Sequence, residues 1–174
     1  MRGHGATAVL AACLWHSAVT GQCTQSYSLP PGWNLVSLPC DVVDPSVQAV
    51  YPGAISLFRW TGSRYQIDSL LVPGQGYWLN VAEPDTVSVT VTGPAPSSTL
   101  RAVAQGWTLI GPLGDGVELL AWVRPQGGFD GVFAFAGGVY VLANAGSWLH
   151  LDPGRGYWLN ATAARDNPAT AIGT

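Results

Sequence analysis

Three polar side chains that could perform hydrolysis together lie close in sequence, at Ser147, His150 and Asp152. Serine, histidine and aspartate form the triad of many hydrolases, so a small secreted hydrolase is one hypothesis for this chain. No glycine-flanked nucleophile motif surrounds Ser147, however, and His150 and Asp152 have no evident third partner for a metal. We therefore predict no catalytic residue, no metal site and no cofactor.

Carboxylates are the next candidates, because paired acids hydrolyse glycosides and clustered acids bind calcium. Most acidic residues here stand beside glycine, proline or serine, where aspartate makes turns and helix caps. Their spacing does not follow an EF-hand pattern, so we assign them to turns. These residues are Asp41, Asp44, Asp68, Glu83, Asp85, Asp115, Glu118, Asp130, Asp152 and Asp166.

Aromatic residues are better candidates, because they recur in two octapeptides that differ at one position, residues 73–80 and 153–160. Each contains adjacent tyrosine and tryptophan, whose rings must point to opposite faces of a strand. One ring then enters a core, and the other is exposed or lies between the two copies; we favour burial of both. The predicted structural motif comprises Trp33, Gly74, Gly76, Tyr77 and Trp78, and their counterparts Trp107, Gly154, Gly156, Tyr157 and Trp158.

Other tryptophans have no tryptophan at the matching position of the other copy. Exposed tryptophan stacks on sugar rings and anchors protein interfaces, so these residues are candidates for a copy-specific binding surface. Arg59 and Arg64 stand beside Trp60 and Tyr65 and could form a cation–π patch, although solvated arginines on the strand face are the simpler interpretation. The candidate binding residues are Trp60, Arg64, Trp122, Trp148 and His150.

The repeat extends beyond the octapeptides: residues 32–36 match residues 106–110, and residues 57–65 match residues 132–140. A match over this length indicates two copies of one structural unit. The second copy carries extra residues before Pro153, and such insertions belong in loops.

Short apolar runs punctuated by glycine and proline predict strands and hairpins. Asp44 followed by Pro45 predicts the start of a short helix that ends near Tyr51, with a counterpart over residues 116–123. An alternating strand over residues 86–92 has no evident match in the second copy. We therefore predict an all-β fold with one short helix per repeat. It would consist of two homologous small modules, barrel- or sandwich-like, packed around a pseudo-two-fold axis.

The first residues have the pattern of a signal peptide, with Arg2 before an apolar run and small residues before Gln22. A lipoprotein box ending at Cys13 is the alternative. We predict a leader over residues 1–21 and no transmembrane segment in the mature chain. The remaining boundaries are module one over 22–93, a linker over 94–99, module two over 100–163 and a tail over 164–174.

Cys23 and Cys40 remain after removal of such a leader. Two cysteines in an oxidising compartment predict a disulfide. The chain lacks the CxxC spacing that would favour a metal site instead. Closing a loop of about 17 residues would stabilise the fold by about 3 kcal/mol.

The ordered series of motifs resembles a tandem repeat module of secreted and surface bacterial proteins. It begins with Gly-Trp-Asn-Leu-Val-Ser-Leu-Pro at residues 32–39, continues with an aromatic hairpin, and ends with Pro-Gly-x-Gly-Tyr-Trp at residues 73–78 and 153–158. The second copy departs from it at residues 111–113. The resemblance implies a small extracellular β module and assigns no catalytic residue.

Composition limits the partners. The chain has 174 residues and a formal net charge of −3, and its seven basic residues are all arginine. Without a basic patch, nucleic-acid binding is not expected. We predict a non-catalytic extracellular structural or interaction module with a protein or cell-surface partner. The alternatives are a carbohydrate-binding protein that uses exposed aromatics, with a glycan as partner, and the hydrolase above.

Overall fold

The computed structural model describes residues 21–82, 84, 86–96, 101–114, 117–118, 129–142, 150–162 and 165–167. The leader expected over residues 1–21 lies outside these ranges except for Gly21. Within the described residues, no helix is both long and apolar enough to cross a membrane. The fold is all-β, as predicted, with several antiparallel sheets.

The first half of the chain contains six strands and one helix among its described residues: β1 (Gln22–Leu29), β2 (Gly32–Ser37), α1 (Val47–Val50), β3 (Ala54–Trp60), β4 (Tyr65–Asp68), β5 (Gly76–Val81) and β6 (Val87–Pro94). β2, β5, β3 and β4 form a four-stranded sheet in that order, while β1 and β6 form a separate ribbon. Val89 and Val91 of β6 are buried and Thr90 is exposed, as the alternation of this strand predicts.

The described second half contains eight strands: β7 (Arg101–Val103), β8 (Gly106–Ile110), β9 (Val117–Glu118), β10 (Phe129–Ala136), β11 (Val139–Leu142), β12 (His150–Leu151), β13 (Tyr157–Ala161) and β14 (Arg165–Asn167). β8, β13, β10 and β11 repeat the strand order of the first sheet, and β14 pairs with β7 as β6 pairs with β1. The expectation that the second copy lacks this last strand is therefore wrong, because a short one lies in the segment expected to be a tail.

The helix differs from the prediction. α1 begins later than Asp44, and its cap is Ser46, whose Oγ accepts a hydrogen bond from the Ala49 amide. The Asp44 carboxylate instead accepts a hydrogen bond from the Ser46 amide, which lowers the pKa of Asp44. In the second half, Val117 and Glu118 form strand β9 where a helix is expected over 116–123. The rest of that segment lies outside the described residues.

Each half buries its own core. The first core lies between the four-stranded sheet, the β1–β6 ribbon and α1, and includes Leu57, Tyr77 and Leu79. Cys23 of β1 and Cys40 after β2 are buried there and joined by a disulfide, as predicted, with their Cα atoms 5.6 Å apart. The second core contains the matched residues Tyr157 and Leu159. The tyrosine of each octapeptide is thus a core residue.

The two halves also contact each other through main-chain bonds that are related by an approximate two-fold exchange. The Ser37 amide donates to the Gly154 carbonyl over 3.0 Å, and the matching Gly111 amide donates to the Gly74 carbonyl over 3.2 Å. Isolated bridges join Val36 to Arg155 and the matching Ile110 to Gln75. The pseudo-two-fold arrangement predicted from the sequence is therefore present.

Glycine is required where the two backbones approach most closely. A Cβ on Gly76 would lie 2.6 Å from the Ile110 carbonyl oxygen, and a Cβ on Gly156 would lie 2.8 Å from that of Val36. Both distances are too short for a carbon side chain. The second glycine of each octapeptide thus allows one half to dock on the other.

Candidate functional site

Aromatic side chains cover the face of the first sheet that points away from its core. Trp78 is opposite Leu35 on one side and Phe58 on the other, and Trp60 is opposite Tyr65. Directly opposite residues share a face of an antiparallel sheet. Since Tyr77 enters the core, the adjacent Trp78 must occupy this second face, where it lies beside Phe58 and contacts Trp33.

The second sheet repeats this face. Trp158 is opposite Leu109 and Phe133, and Phe135 is opposite Tyr140. Where the first half has Trp60, the second has Phe135; the other rings are of the same type. We call the combined set of rings the aromatic seam. It consists of Trp33, Phe58, Trp60, Tyr65, Trp78, Trp107, Phe133, Phe135, Tyr140 and Trp158.

The two halves interlock within the aromatic seam. Trp78 of the first half meets Phe135 of the second at 4.8 Å between ring centroids, and the matched pair of Trp158 and Trp60 lies at 5.5 Å. Both pairs are close to perpendicular, the edge-to-face geometry that aromatic quadrupoles favour. Leu35, Leu109 and the buried Trp158 form the apolar centre of this contact. The tryptophan of each octapeptide therefore helps to join the halves.

The contacts inside each half are equally well matched. Trp33 lies 6.2 Å from Trp78 at an interplanar angle of 88°, and Trp107 lies 6.0 Å from Trp158 at 87°. Trp33 also contacts Phe58, as Trp107 contacts Phe133. Such agreement means that any site formed on one side of the seam is formed again on the other.

Two open pockets lie in the seam. The first aromatic pocket has a volume of about 420 Å³ and is lined by Trp33, Phe58, Tyr65, Trp78, Phe135 and Tyr140. The second aromatic pocket, of about 450 Å³, is lined by Trp60, Tyr65, Trp107, Phe133, Tyr140 and Trp158. Every described lining residue is aromatic, and each pocket needs side chains from both halves. Because both pockets include Tyr65 and Tyr140, they are adjacent.

The rings at the mouths of these pockets remain accessible. Trp33 and Trp107 are 48% and 46% exposed, and Tyr65 and Tyr140 are 47% and 53% exposed. Trp60 is held in place because its indole N–H donates to the Trp107 carbonyl over 3.0 Å. Partial burial raises the pKa of Tyr65, and a side-chain hydrogen bond with Trp78 opposes that increase in part. Its hydroxyl is therefore neutral at physiological pH and can donate a hydrogen bond to a ligand.

Comparison with known proteins adds nothing to this geometry. The sequence matches no protein-family model, no curated protein and no solved structure.

The tyrosine hydroxyl of each octapeptide has a structural task. The Val72 amide donates to the Tyr77 hydroxyl over 2.9 Å, and the Asp152 amide donates to that of Tyr157 over 2.8 Å. Each bond ties the chain just before the Pro-Gly turn to the strand just after it. Gly74 and Gly154 have positive φ in these turns, which glycine adopts without strain. The motif closes its own turn and leaves the tryptophan free for the seam.

Of the candidate binding residues that the structure describes, Trp60 alone lies in the seam, where it lines the second aromatic pocket. Arg64 is exposed in the turn between β3 and β4, where its main chain bonds to Thr61. Arg59 pairs with Asp68 at 3.2 Å and hydrogen-bonds to Gln66. Trp122 and Trp148 lie outside the described residues.

His150 is half-buried in β12, where its backbone position is opposite Glu118. The Asp152 carboxylate lies 3.6 Å from the Arg155 guanidinium, within an exposed ion pair. Ser147 lies outside the described residues. Among those that the structure describes, no group of three or more histidine, cysteine or acidic side chains is placed to hold a metal.

The seam contains several residues that were not among the candidates from the sequence. Phe58, Tyr65, Phe133, Phe135 and Tyr140 all line pockets. A signal for them was present, since aromatic residues occupy both copies at these matched positions. The aromatic character shared by the two copies would have singled them out, whereas the sequence analysis selected tryptophans that the other copy lacks.

Proposed function

We propose that this protein is a non-catalytic extracytoplasmic binding module whose ligand occupies the two aromatic pockets. The observation that carries this proposal is the repetition of an accessible ring cluster in both halves. Rings that served only to join the halves would be expected to lie in the interface. Trp33 and Trp107 instead remain about half exposed at the mouths of pockets of matching size.

The chemistry of the pockets supports binding rather than catalysis. Their described linings offer flat apolar surfaces and two tyrosine hydroxyls, without a carboxylate, an imidazole or a thiol that could transfer protons or attack a substrate. Large aromatic surfaces of this type provide most of the binding energy at recognition sites.

An extracytoplasmic location rests on two features. The leader pattern at the N-terminus directs export. The Cys23–Cys40 disulfide fits an oxidising compartment, since disulfides are rare in reducing ones. A module anchored or released outside the cell then meets surface polymers and proteins as its partners.

The test is a binding screen with the fluorescently labelled exported chain on glycan and peptide arrays. We expect signals that disappear in the double variant Trp33→Ala Trp107→Ala. Ile67→Ala is the matched control, because Ile67 is opposite Phe58, hence on the same sheet face, is more exposed than either tryptophan, and lines neither pocket. Signals retained in the double variant, or no signal on either array, would refute the proposal.

The tryptophan substitutions could damage the fold, so a second pair of variants is needed. Tyr65→Ala and Tyr140→Ala remove rings that are about half exposed and that both pockets share. Circular dichroism and thermal melting establish that each variant is folded before it is scored.

A further inference from the structure

The first aromatic pocket has a central tryptophan, Trp78, to which three other rings of the lining are nearly perpendicular. The interplanar angle is 88° with Trp33 and 76° with Phe135. With Tyr140 it is 79°. In an edge-to-face pair, the ring that presents its edge keeps both of its own faces uncovered. Rings inclined in this way surround the pocket with accessible π faces, which a parallel stack would hide.

The second aromatic pocket repeats this arrangement around Trp158. The interplanar angles are 87° with Trp107, 73° with Trp60 and 74° with Tyr65. Across both pockets, the centroids of these pairs lie between 4.8 and 6.4 Å apart. One small group in either pocket can therefore lie within about 6 Å of several ring centroids at once, the distance over which a cation is attracted to a ring.

Such a set of rings is a favourable environment for a cation. The face of an aromatic ring is the negative part of its quadrupole and attracts positive charge. Tryptophan is the strongest partner of this kind. The described linings of the two pockets contain five tryptophans, which are Trp33, Trp60, Trp78, Trp107 and Trp158.

The charges near the pockets favour a cation over an anion. The described linings of the aromatic pockets contain no arginine and no histidine that could pair with an anion. Arg59 and Arg155 line the two neighbouring cavities, and each forms an ion pair with an aspartate. The formal net charge of the whole chain is −3. A bound cation therefore meets no unpaired positive side chain in the described linings.

The hydrogen-bonding groups of the pockets distinguish between kinds of cation. A primary ammonium has three N–H donors that lose water on entry. The described linings contain no carboxylate to replace that water, and their side-chain acceptors are the hydroxyls of Tyr65 and Tyr140. A quaternary ammonium group has no N–H, so its burial leaves no donor unsatisfied. Its methyl groups can also pack against the flat faces of the rings.

Building on the proposed function, we propose that each aromatic pocket binds one quaternary ammonium group of the trimethylammonium type. The two pockets bind two such groups independently and with similar affinity, because their rings match. A compact group has no chain direction, so it suits two pockets that are related by a pseudo-two-fold axis. The group occurs free, as in choline, and on proteins as N-trimethyllysine. Peptides with N-trimethyllysine are therefore the array members that we expect to bind.

Titration of the exported chain with choline tests this, since the indole N–H resonances of Trp33 and Trp107 report on the two pockets separately. The matched control ligand is 3,3-dimethylbutan-1-ol, in which carbon replaces the nitrogen of choline and no charge remains. We expect choline to bind at least about tenfold more tightly than this alcohol. Ethanolamine, with its primary ammonium, should also bind more weakly than choline. An N-trimethyllysine peptide that binds more tightly than choline would identify a methylated protein as the source of the group, and the reverse order a free small molecule.

Substitutions separate the two pockets. In Trp33→Ala, the Trp78 resonance should lose its response to choline while the Trp107 resonance keeps it. Trp107→Ala should leave the response of the first pocket intact. Tyr65→Ala should weaken both sites, because Tyr65 lines both pockets, and Ile67→Ala should weaken neither.

Other results would overturn the inference in distinguishable ways. If the neutral alcohol binds as tightly as choline and the double variant Trp33→Ala Trp107→Ala binds neither, the cation is refuted and the proposed function stands. Saturable choline binding that leaves both indole resonances in place would locate the cation elsewhere and refute the inference. The absence of a response to both choline and the peptide would refute the inference alone. Array signals that survive in the folded double variant would refute the proposed function as well.

Discussion

Ser37 and Gly111 occupy matched positions in the two halves and meet where the halves contact each other. Ser37 is fully buried, and its hydroxyl donates to the Arg155 carbonyl over 2.9 Å. A Cβ on Gly111 would overlap the Cβ of Ser37 and lie 2.7 Å from its Oγ. Only one of the two positions can therefore carry a side chain. The lack of space explains why the second copy has glycine at position 111, where the first copy has serine.

Gly111→Ser should destabilise the protein, because two side chains would then compete for one space. We expect a loss of about 1–3 kcal/mol in the free energy of unfolding, typical of overpacking in a dense interior. Urea denaturation monitored by tryptophan fluorescence measures it.

Adding Ser37→Gly to Gly111→Ser should restore most of that loss. The serine hydroxyl would then lie near the Gln75 carbonyl oxygen, which is 3.1 Å from the added Cβ and matches the Arg155 carbonyl. A double-mutant cycle of unfolding free energies gives the coupling free energy between positions 37 and 111. Additive effects of the two substitutions would contradict the contact.

Gly76→Ala and Gly156→Ala should each weaken the docking of the halves. The added methyl would press on the carbonyl of Ile110 or Val36, and backbone cannot move aside as a side chain can. We expect about 1–3 kcal/mol from each change, measured by chemical denaturation.

Val43→Ala is the control for these variants, because Val43 is fully exposed and a shorter side chain there should leave the free energy of unfolding unchanged. Equal stability of all three variants would mean that the close approach is unimportant.

Tyr77→Phe and Tyr157→Phe should cost about 1–3 kcal/mol each, since a main-chain amide loses its hydrogen-bond partner. Tyr140→Phe removes an exposed hydroxyl from the seam and should be nearly neutral by comparison. Hydrogen exchange at the Val72 and Asp152 amides gives a local measurement. Unchanged protection in the Tyr77→Phe and Tyr157→Phe variants would argue against the turn-closing role.

Alkaline pH should destabilise the protein. Burial raises the pKa of Tyr27 to about 12 from an ordinary value of 10.0, despite its hydrogen bond to Tyr51. The stabilising effect is complete below pH 10. Between pH 10 and pH 12 the unfolded chain loses this proton while the folded chain keeps it, so the free energy of unfolding falls. For Tyr27 alone the fall is about 2–3 kcal/mol.

Urea denaturation at pH 8, 9, 10 and 11 checks this dependence. Burial also raises the pKa of Tyr51, so Tyr27→Phe should flatten the pH dependence only in part. A stability that does not change over this range would contradict the assignment.

Replacing Cys23 and Cys40 by serine should reduce stability by about 3 kcal/mol, the chain-entropy estimate for the loop that the disulfide closes. The reduced wild-type protein should lose a similar amount. Comparing denaturation midpoints with and without reductant, and with the double variant, tests both. A reductant effect that persists in the double variant could not come from this disulfide.

The fold was accessible from the sequence because local signals agreed with one another. Glycine-bearing turns between apolar runs predicted the hairpins. The alternation of valine with polar residues in β6 predicted which face of that strand is buried. The helix start was wrong because Asp44 and Ser46 are both good capping residues, and the structure uses Ser46 as the cap. β14 escaped detection because three residues without clear alternation carry little pattern.

The site was harder to predict, because it depends on how the halves meet. Alternation placed Tyr77 and Trp78 on opposite faces, but not which sheet would cover the tryptophan. Sequence reasoning favoured burial of both rings; Trp158 is buried, whereas Trp78 remains partly exposed. The cross-half contact of Trp78 with Phe135 joins residues far apart in the chain, and no local pattern encodes it.

The central claim, that the paired aromatic pockets bind the ligand, is tested most directly by the indole N–H resonances of the protein during titration with a ligand from the array screen. Single tryptophan-to-phenylalanine variants assign the resonances. We predict that those of Trp33 and Trp107 shift together, at the same ligand concentration. Saturable binding that leaves both resonances in place would contradict the account.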